Sequence, residues 1–134
     1  MNIRYAMETD AELVMELDQH IAKEEIKNAI HLHRIYLAEE NGRVVGWLRY
    51  NLFWDSIPFM NLLYILAPDQ GKGFGRQLVT FWEEDMTRQG YERLLTSTQS
   101  NEYAQHFYDR LGYQAVGGFR LDGEAYELIF FKKL

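Results

Sequence analysis

Gln70-Gly71-Lys72-Gly73-Phe74-Gly75 is the stretch that decides how this chain is read. An apolar run, Asn61-Leu62-Leu63-Tyr64-Ile65-Leu66, leads into it, and a helical pattern from Arg76 to Gln89 follows. Glycines at 71, 73 and 75 stand on alternate positions at a strand-to-helix junction and bare the backbone there. Main-chain N–H groups can then approach a phosphate, and the helix that follows adds the positive end of its dipole. Taken alone, such a cluster is also compatible with a tight turn.

Two well-known phosphate motifs fail on residue type. A Walker loop requires Ser or Thr directly after Gly-Lys, to hold magnesium, but Lys72 is followed by Gly73. The dinucleotide fingerprint G-x-G-x-x-G requires glycine at 76, where Arg76 stands. What remains is Q-x-x-G-x-G on Gln70, Gly73 and Gly75. Downstream, Asn101-Glu102-Tyr103-Ala104-Gln105-His106-Phe107-Tyr108-Asp109-Arg110-Leu111-Gly112-Tyr113 matches N-x-x-A-x-x-F-Y-x-x-L-G-F/Y at every fixed position. In order and spacing the two signatures resemble the GCN5-related N-acetyltransferase (GNAT) family, and they cover most of residues 60–117.

The resemblance implies an α/β (α+β) fold of GNAT type, with a mixed, mostly antiparallel central sheet and helices on both faces. It implies acetyl-CoA as co-substrate, with no metal, and direct transfer of the acetyl group to an amine. The loop Gln70, Gly71, Lys72, Gly73, Phe74, Gly75 and Arg76 would bind the CoA pyrophosphate. Ile65 or Leu66 would pair with the pantetheine arm; the register is open by one residue because Pro68 is displaced from the family's usual position. Asn101 and Phe107 would contribute from the second signature, with Asn101 binding pantetheine, capping its helix, or both. Tyr108 would be the general acid that protonates the departing thiolate. A core aromatic on a helix is the plain structural alternative for Tyr108, and an exposed, solvated position is the alternative for Lys72 and Arg76.

The bulk numbers agree with one enzyme-sized domain. At 134 residues the chain is expected to form a single domain over 1–134, and its 47% hydrophobic content suits a packed core. A net charge of −6 argues against nucleic acid as the main partner and suits a cationic small-molecule or peptide amine. With no cysteine, disulfides, thiolate metal sites and a cysteine nucleophile are excluded. No apolar run of spanning length and no signal-peptide pattern is seen, so a soluble, cytoplasmic protein without a membrane partner is expected.

Pattern reading along the chain gives the order β α α β β β α β α β β. Ile3–Ala6 reads as a strand, and Thr9 with Glu12 as a capping box for a helix carrying Leu13, Val14, Leu17 and Ile21. A short helix is expected over Lys23–Leu32, and strands over Arg34–Glu39 and Arg43–Asn51 joined by an Asn41-Gly42 turn. Leu52–Pro58 reads as a loop and Phe59–Leu66 as a strand buried on both faces. Gly90 and Gly112 are expected to end helices, and Asn101 to cap the second-signature helix. Arg93–Thr98 is the next strand, and Tyr113–Phe119 and Ala125–Lys132 form a last hairpin turned at Leu121-Asp122-Gly123.

No motif fixes a general base. Glu24, Glu25, Asp55, His31, His33 and Glu127 are candidates, each equally a surface residue. Phe53 and Trp54 suit an aromatic wall of the acceptor site, core packing or a dimer interface. The aromatic hairpin Phe119, Tyr126, Phe130 and Phe131 is compatible with a homodimer and with core packing alike.

Overall fold

The computed structural model describes residues 1–134. It contains strands β1 (Asn2–Tyr5), β2 (Ile35–Glu40), β3 (Arg43–Phe53), β4 (Ile57–Ile65), β5 (Arg93–Gln99), β6 (Gln114–Phe119) and β7 (Glu127–Lys133). The helices are α1 (Ala11–Leu17), α2 (Lys23–His31), α3 (Phe74–Arg88) and α4 (Ala104–Arg110). The strand order is β1-β2-β3-β4-β5-β7-β6, mixed because β4 and β5 run parallel. This is the mixed sheet with helices that the resemblance implied.

The chain forms two compact units. The first comprises residues 1–51 and 62–82, the second 52–61 and 83–134. In the first unit both sheet faces are covered, which explains why β2 reads as a continuous buried run rather than an alternation. Ile35, Leu37 and Trp47 face α1 and α2, packing with Ala6, Val14, Ile26 and Ile30. Tyr36 points to the other face, where its ring meets Tyr50 and, from α3, Phe81 edge-on at 5.7 Å. Leu78 and Trp82 complete that face without exposure to solvent.

A buried ion pair fixes the end of α1. Asp18 accepts from Arg49 Nε at 2.8 Å and from Trp47 Nε1 at 3.2 Å. Its side chain is fully buried and that of Arg49 nearly so, so each charge depends on the other for compensation.

In the second unit β5 pairs antiparallel with β7 from Arg93↔Lys133 to Gln99↔Glu127, and β7 carries β6 on its far side. Leu94, Thr96 and Thr98 point to one buried face of β5. Glu83, Tyr113 and Lys132 form a polar knot: the Tyr113 hydroxyl and Lys132 Nζ both donate to Glu83 Oε2, at 2.7 and 3.0 Å. Lys132 Nζ also donates to the Leu111 carbonyl at 2.8 Å, so β7 holds the carbonyl end of α4.

Several expectations need correction. Thr9 does not cap α1. A turn of 3-10 helix, Glu8–Asp10, precedes it, and Asp10 rather than Glu12 reaches back, accepting from the Met7 N–H at 2.7 Å. Arg4 holds the same carboxylate in a two-bond grip at 2.8 and 3.0 Å, which is a stronger claim on it than helix periodicity reveals. Ile21 lies past the end of α1. Leu52–Pro58 is not a loop: β3 runs on to Phe53, β4 starts at Ile57, and Trp54-Asp55 make a two-residue turn with Ser56 N–H donating to Phe53 O. β4 is not buried throughout, since Asn61 and Tyr64 are exposed.

Candidate functional site

The glycine loop lies in the first unit, after β4 and a turn of 3-10 helix, Ala67–Asp69. Gly71 and Gly73 adopt φ of +78° and +83°, and a Cβ on either would stand in open space. The left-handed backbone there favours glycine. α3 opens at Phe74, with Gln77 N–H bonding back to Gly73 O at 3.2 Å. The preceding N–H groups of the first helical turn have no intrahelical acceptor. A glycine backbone that runs into a helix N-terminus is chemically suited to an anion.

Charged groups brace the loop. Arg43 grips Asp69 with two bonds, at 2.9 and 3.0 Å. Arg43 beside it holds the Asp69 carboxyl below the usual carboxylate range, against the opposing effect of desolvation. Lys72 stands 3.8 Å from the same carboxylate with its side chain about half exposed, and Arg76 is exposed on the first turn of α3. Gln70, though exposed, folds back on β4, its Nε2 donating to the Ile65 carbonyl at 2.8 Å. That bond ties the loop to the end of β4 and occupies the Ile65 carbonyl; the sequence pattern did not reveal it. Leu66 N–H bonds to Val45 O at 2.8 Å.

The end of β4 approaches β3 closely at one point. A Cβ on Gly46 would lie 2.5 Å from Ile65 Cδ1 and 2.7 Å from Tyr64 O. Only glycine fits there, and its absence of a side chain sets where Tyr64 and Ile65 lie.

Tyr108 is in the second unit, on α4, and only 6% exposed. Its ring meets Phe107, Tyr113 and Phe130 at centroid distances of 5.3, 5.9 and 5.9 Å. Burial pushes its phenol up to about 12, while a side-chain hydrogen bond with Thr96 pulls the other way. Thr96 is itself buried and donates to Met60 O at 3.0 Å. The Tyr108 phenol is thus neutral at ordinary pH, in contact with three aromatic rings and Thr96. Phe107 is half-buried beside it. Asn101 is exposed in the turn before α4 and does not cap it; Tyr103 occupies the cap position, with no side-chain cap bond.

The base candidates are dispersed. Glu24 and Glu25 lie exposed on the first turn of α2, and His31 is exposed at its end. His33 has φ of 58° and stacks on Tyr5 at 4.9 Å. Asp55 sits in the β3–β4 turn, and Glu127 opens β7 opposite Phe119 and Gln99. The structure singles out none of them.

Comparison with known proteins agrees with this fold. The family model described as "Acetyltransferase (GNAT) family" matches residues 4–113. No curated protein sequence matches the chain significantly. Among solved structures, a GNAT-family acetyltransferase from Bacillus cereus is 23% identical, with TM-score 0.79, covering 98% of this chain and 96% of that one. A ribosomal-protein-alanine N-acetyltransferase from Brucella melitensis is 18% identical with TM-score 0.84, each chain covered in full. A Mycobacterium tuberculosis protein solved in complex with CoA is 15% identical, TM-score 0.81, covering 100% of this chain and 99% of that one. The signatures, the strand order and the family match, which spans all but the first three and the last twenty-one residues, together mean that this chain belongs to the GNAT acetyltransferase family.

Proposed function

We propose that the protein transfers an acetyl group from acetyl-CoA directly to an amine. The observation that carries this reading is the left-handed backbone of Gly71 and Gly73 leading into the N-terminus of α3, which suits the pyrophosphate of CoA. In this reading Gln70 to Arg76 receive the phosphates, and Ile65 and Leu66 border the pantetheine arm. A neutral amine attacks the thioester carbon, and backbone N–H near Ile65 stabilises the resulting oxyanion. The C–S bond then breaks, and the Tyr108 phenol gives its proton to the departing thiolate. The Tyr108 phenol, raised to about 12 by burial, is protonated at neutral pH, as the role requires. No side chain is assigned as base, and the amine loses its proton to water.

The acceptor is an amine of cationic character in this proposal, favoured by the −6 net charge. A small polyamine-like molecule is the first choice. The name of the Brucella melitensis neighbour supports testing a peptide with N-terminal alanine beside it. Because Tyr108 is nearly enclosed, a second reading is a CoA-binding module without turnover.

Calorimetric titration with acetyl-CoA, with ATP as control, tests the reading. Micromolar binding of acetyl-CoA that Gly73→Val abolishes is the expected result, and no binding to any form of CoA refutes it. Turnover over a panel of amines then separates enzyme from module. Tyr108→Phe is expected to lower kcat at least about tenfold with little change in CoA affinity.

A further inference from the structure

The fold contains two two-residue hairpin turns with nearly the same backbone and very different residues. At the β2–β3 turn, Asn41 and Gly42 take φ of 53° and 75°. At the β3–β4 turn, Trp54 and Asp55 take φ of 53° and 59°. Such turns, with positive φ at both central residues, favour Asn-Gly, and a bulky residue there is strained. Trp54 is also 78% exposed, whereas Trp47 and Trp82 are buried. The chain therefore places its largest side chain where the backbone disfavours it and where water surrounds it. Folding does not explain that choice; Asn41-Gly42 shows that the same turn is available without strain.

The tip has a definite chemistry. The Phe53 ring lies 4.8 Å from Trp54, tilted by 38°, and Phe59 lies 6.1 Å behind Phe53. Asp55 is the sole charged residue between Tyr50 and Leu66. An exposed indole face with an adjacent carboxylate attracts a cation through both ring and charge. An anionic lipid surface is disfavoured by Asp55 and by the net charge of −6.

We propose that the β3–β4 tip, Phe53-Trp54-Asp55, is a docking point for a Lys- or Arg-rich peptide segment of a protein partner. A cationic side chain lies over the Trp54 ring with Asp55 as its counter-charge. The proposal does not depend on acetyl transfer, and its test does not use it.

Fluorescein-labelled hexalysine is titrated with the full chain at low ionic strength and followed by anisotropy, with labelled hexaglutamate as control. Acrylamide quenching of tryptophan emission locates the contact, since Trp54 is the accessible indole. Hexalysine is expected to half-saturate below about 1 mM, to shield Trp54 from acrylamide, and to weaken as salt rises. Trp54→Gly is expected to weaken binding at least about threefold while raising the melting temperature, because it relieves the turn. Asp55→Asn, which keeps a residue that tolerates the turn, is expected to weaken binding about two- to threefold. Equal binding of hexaglutamate, or unchanged hexalysine binding by both variants, overturns the proposal. So does shielding of Trp54 that follows protein concentration alone, which assigns the tip to a second copy. Shielding by phosphatidylcholine vesicles but not by hexalysine assigns it to a membrane and overturns the proposal equally.

Discussion

Gly46→Ala tests whether the close approach of β3 to the end of β4 positions the glycine loop. The added Cβ would meet Ile65 Cδ1 at 2.5 Å and Tyr64 O at 2.7 Å, where ordinary contact begins at 3.4 Å. Ile65 Cδ1 can swing aside by changing rotamer. The Tyr64 carbonyl is backbone, so the end of β4 must withdraw by about 0.7 Å, the difference between 3.4 and 2.7 Å. Overpacking of this kind costs about 1–3 kcal/mol. Straining the neighbouring Leu66 N–H to Val45 O bond adds up to about 1 kcal/mol. Against this, alanine restricts the unfolded chain and returns roughly 0.4–1 kcal/mol. A net loss of about 2 kcal/mol remains. With an unfolding entropy of about 0.28 kcal/mol/K for 134 residues, that lowers the melting temperature by about 7 °C. Gly117→Ala is the control, since its Cβ enters open space and its φ is unremarkable; its melting temperature should move by no more than about 2 °C. Scanning calorimetry reads both. Because Ile65 O anchors Gln70, the same shift should weaken acetyl-CoA binding in Gly46→Ala at temperatures where the variant is folded. A Gly46→Ala protein that melts with the wild type refutes the packing argument. One that melts lower but binds acetyl-CoA unchanged refutes the link from β4 to the loop.

Other outcomes follow from the same geometry. Asp18→Ala leaves Arg49 buried without its counter-charge and should cost about 3–5 kcal/mol by denaturant titration, whereas conversion of a surface pair such as Lys27–Glu24 should change little. Tyr113→Phe removes a bond to Glu83 in a buried site and should cost about 1–2 kcal/mol while leaving the secondary structure intact by circular dichroism. Arg4 lowers the pKa of Asp10, so that contribution to stability is complete above the ordinary aspartate range near pH 4 and is lost as pH falls below it. Melting curves of Asp10→Asn should therefore show a shallower decline in acid than wild type. Tyr108 has the opposite sign: its phenol is raised from 10 to about 12, so its contribution is complete below pH 10 and is lost as pH rises through 12. The rate should show no fall from Tyr108 ionisation between pH 7 and pH 10.

The parts of the fold legible in the sequence are those whose cause is local. Gly71, Gly73, Gly90 and Gly112 all take left-handed φ, and each was readable because glycine in that context has few other uses. The strand read over Arg93–Thr98 and the helical face of Leu78 and Trp82 reflect burial that repeats within a few residues. What escaped reading was set by distant partners. Thr9 and Glu12 fit a capping box, but Arg4 and Glu39 draw Asp10 into a cluster that reorganises the start of α1. Trp54-Asp55 carries no turn signal, so the sequence pattern reads as a loop where the structure has an extended hairpin. Among the candidate site residues, Gly71 and Gly73 take left-handed φ and Tyr108 is buried, whereas Asn101 does not cap α4. The grip of Gln70 on Ile65 O, and the knot of Glu83, Tyr113 and Lys132, join residues too far apart in sequence for spacing to show them.

The placement of β7 between β5 and β6 bears on how the protein is made. During synthesis, β5 and β6 both emerge before the strand that joins them. Until Glu127–Lys133 has been translated, the antiparallel edge of β5 is open, and Phe130 is not yet there to cover Tyr108. The second unit therefore cannot close in step with elongation, however early the residues of α4 appear. A ribosome stalled before Glu127 would present an unpaired strand beside an unburied aromatic helix, the kind of surface that chaperones bind and that aggregates grow from.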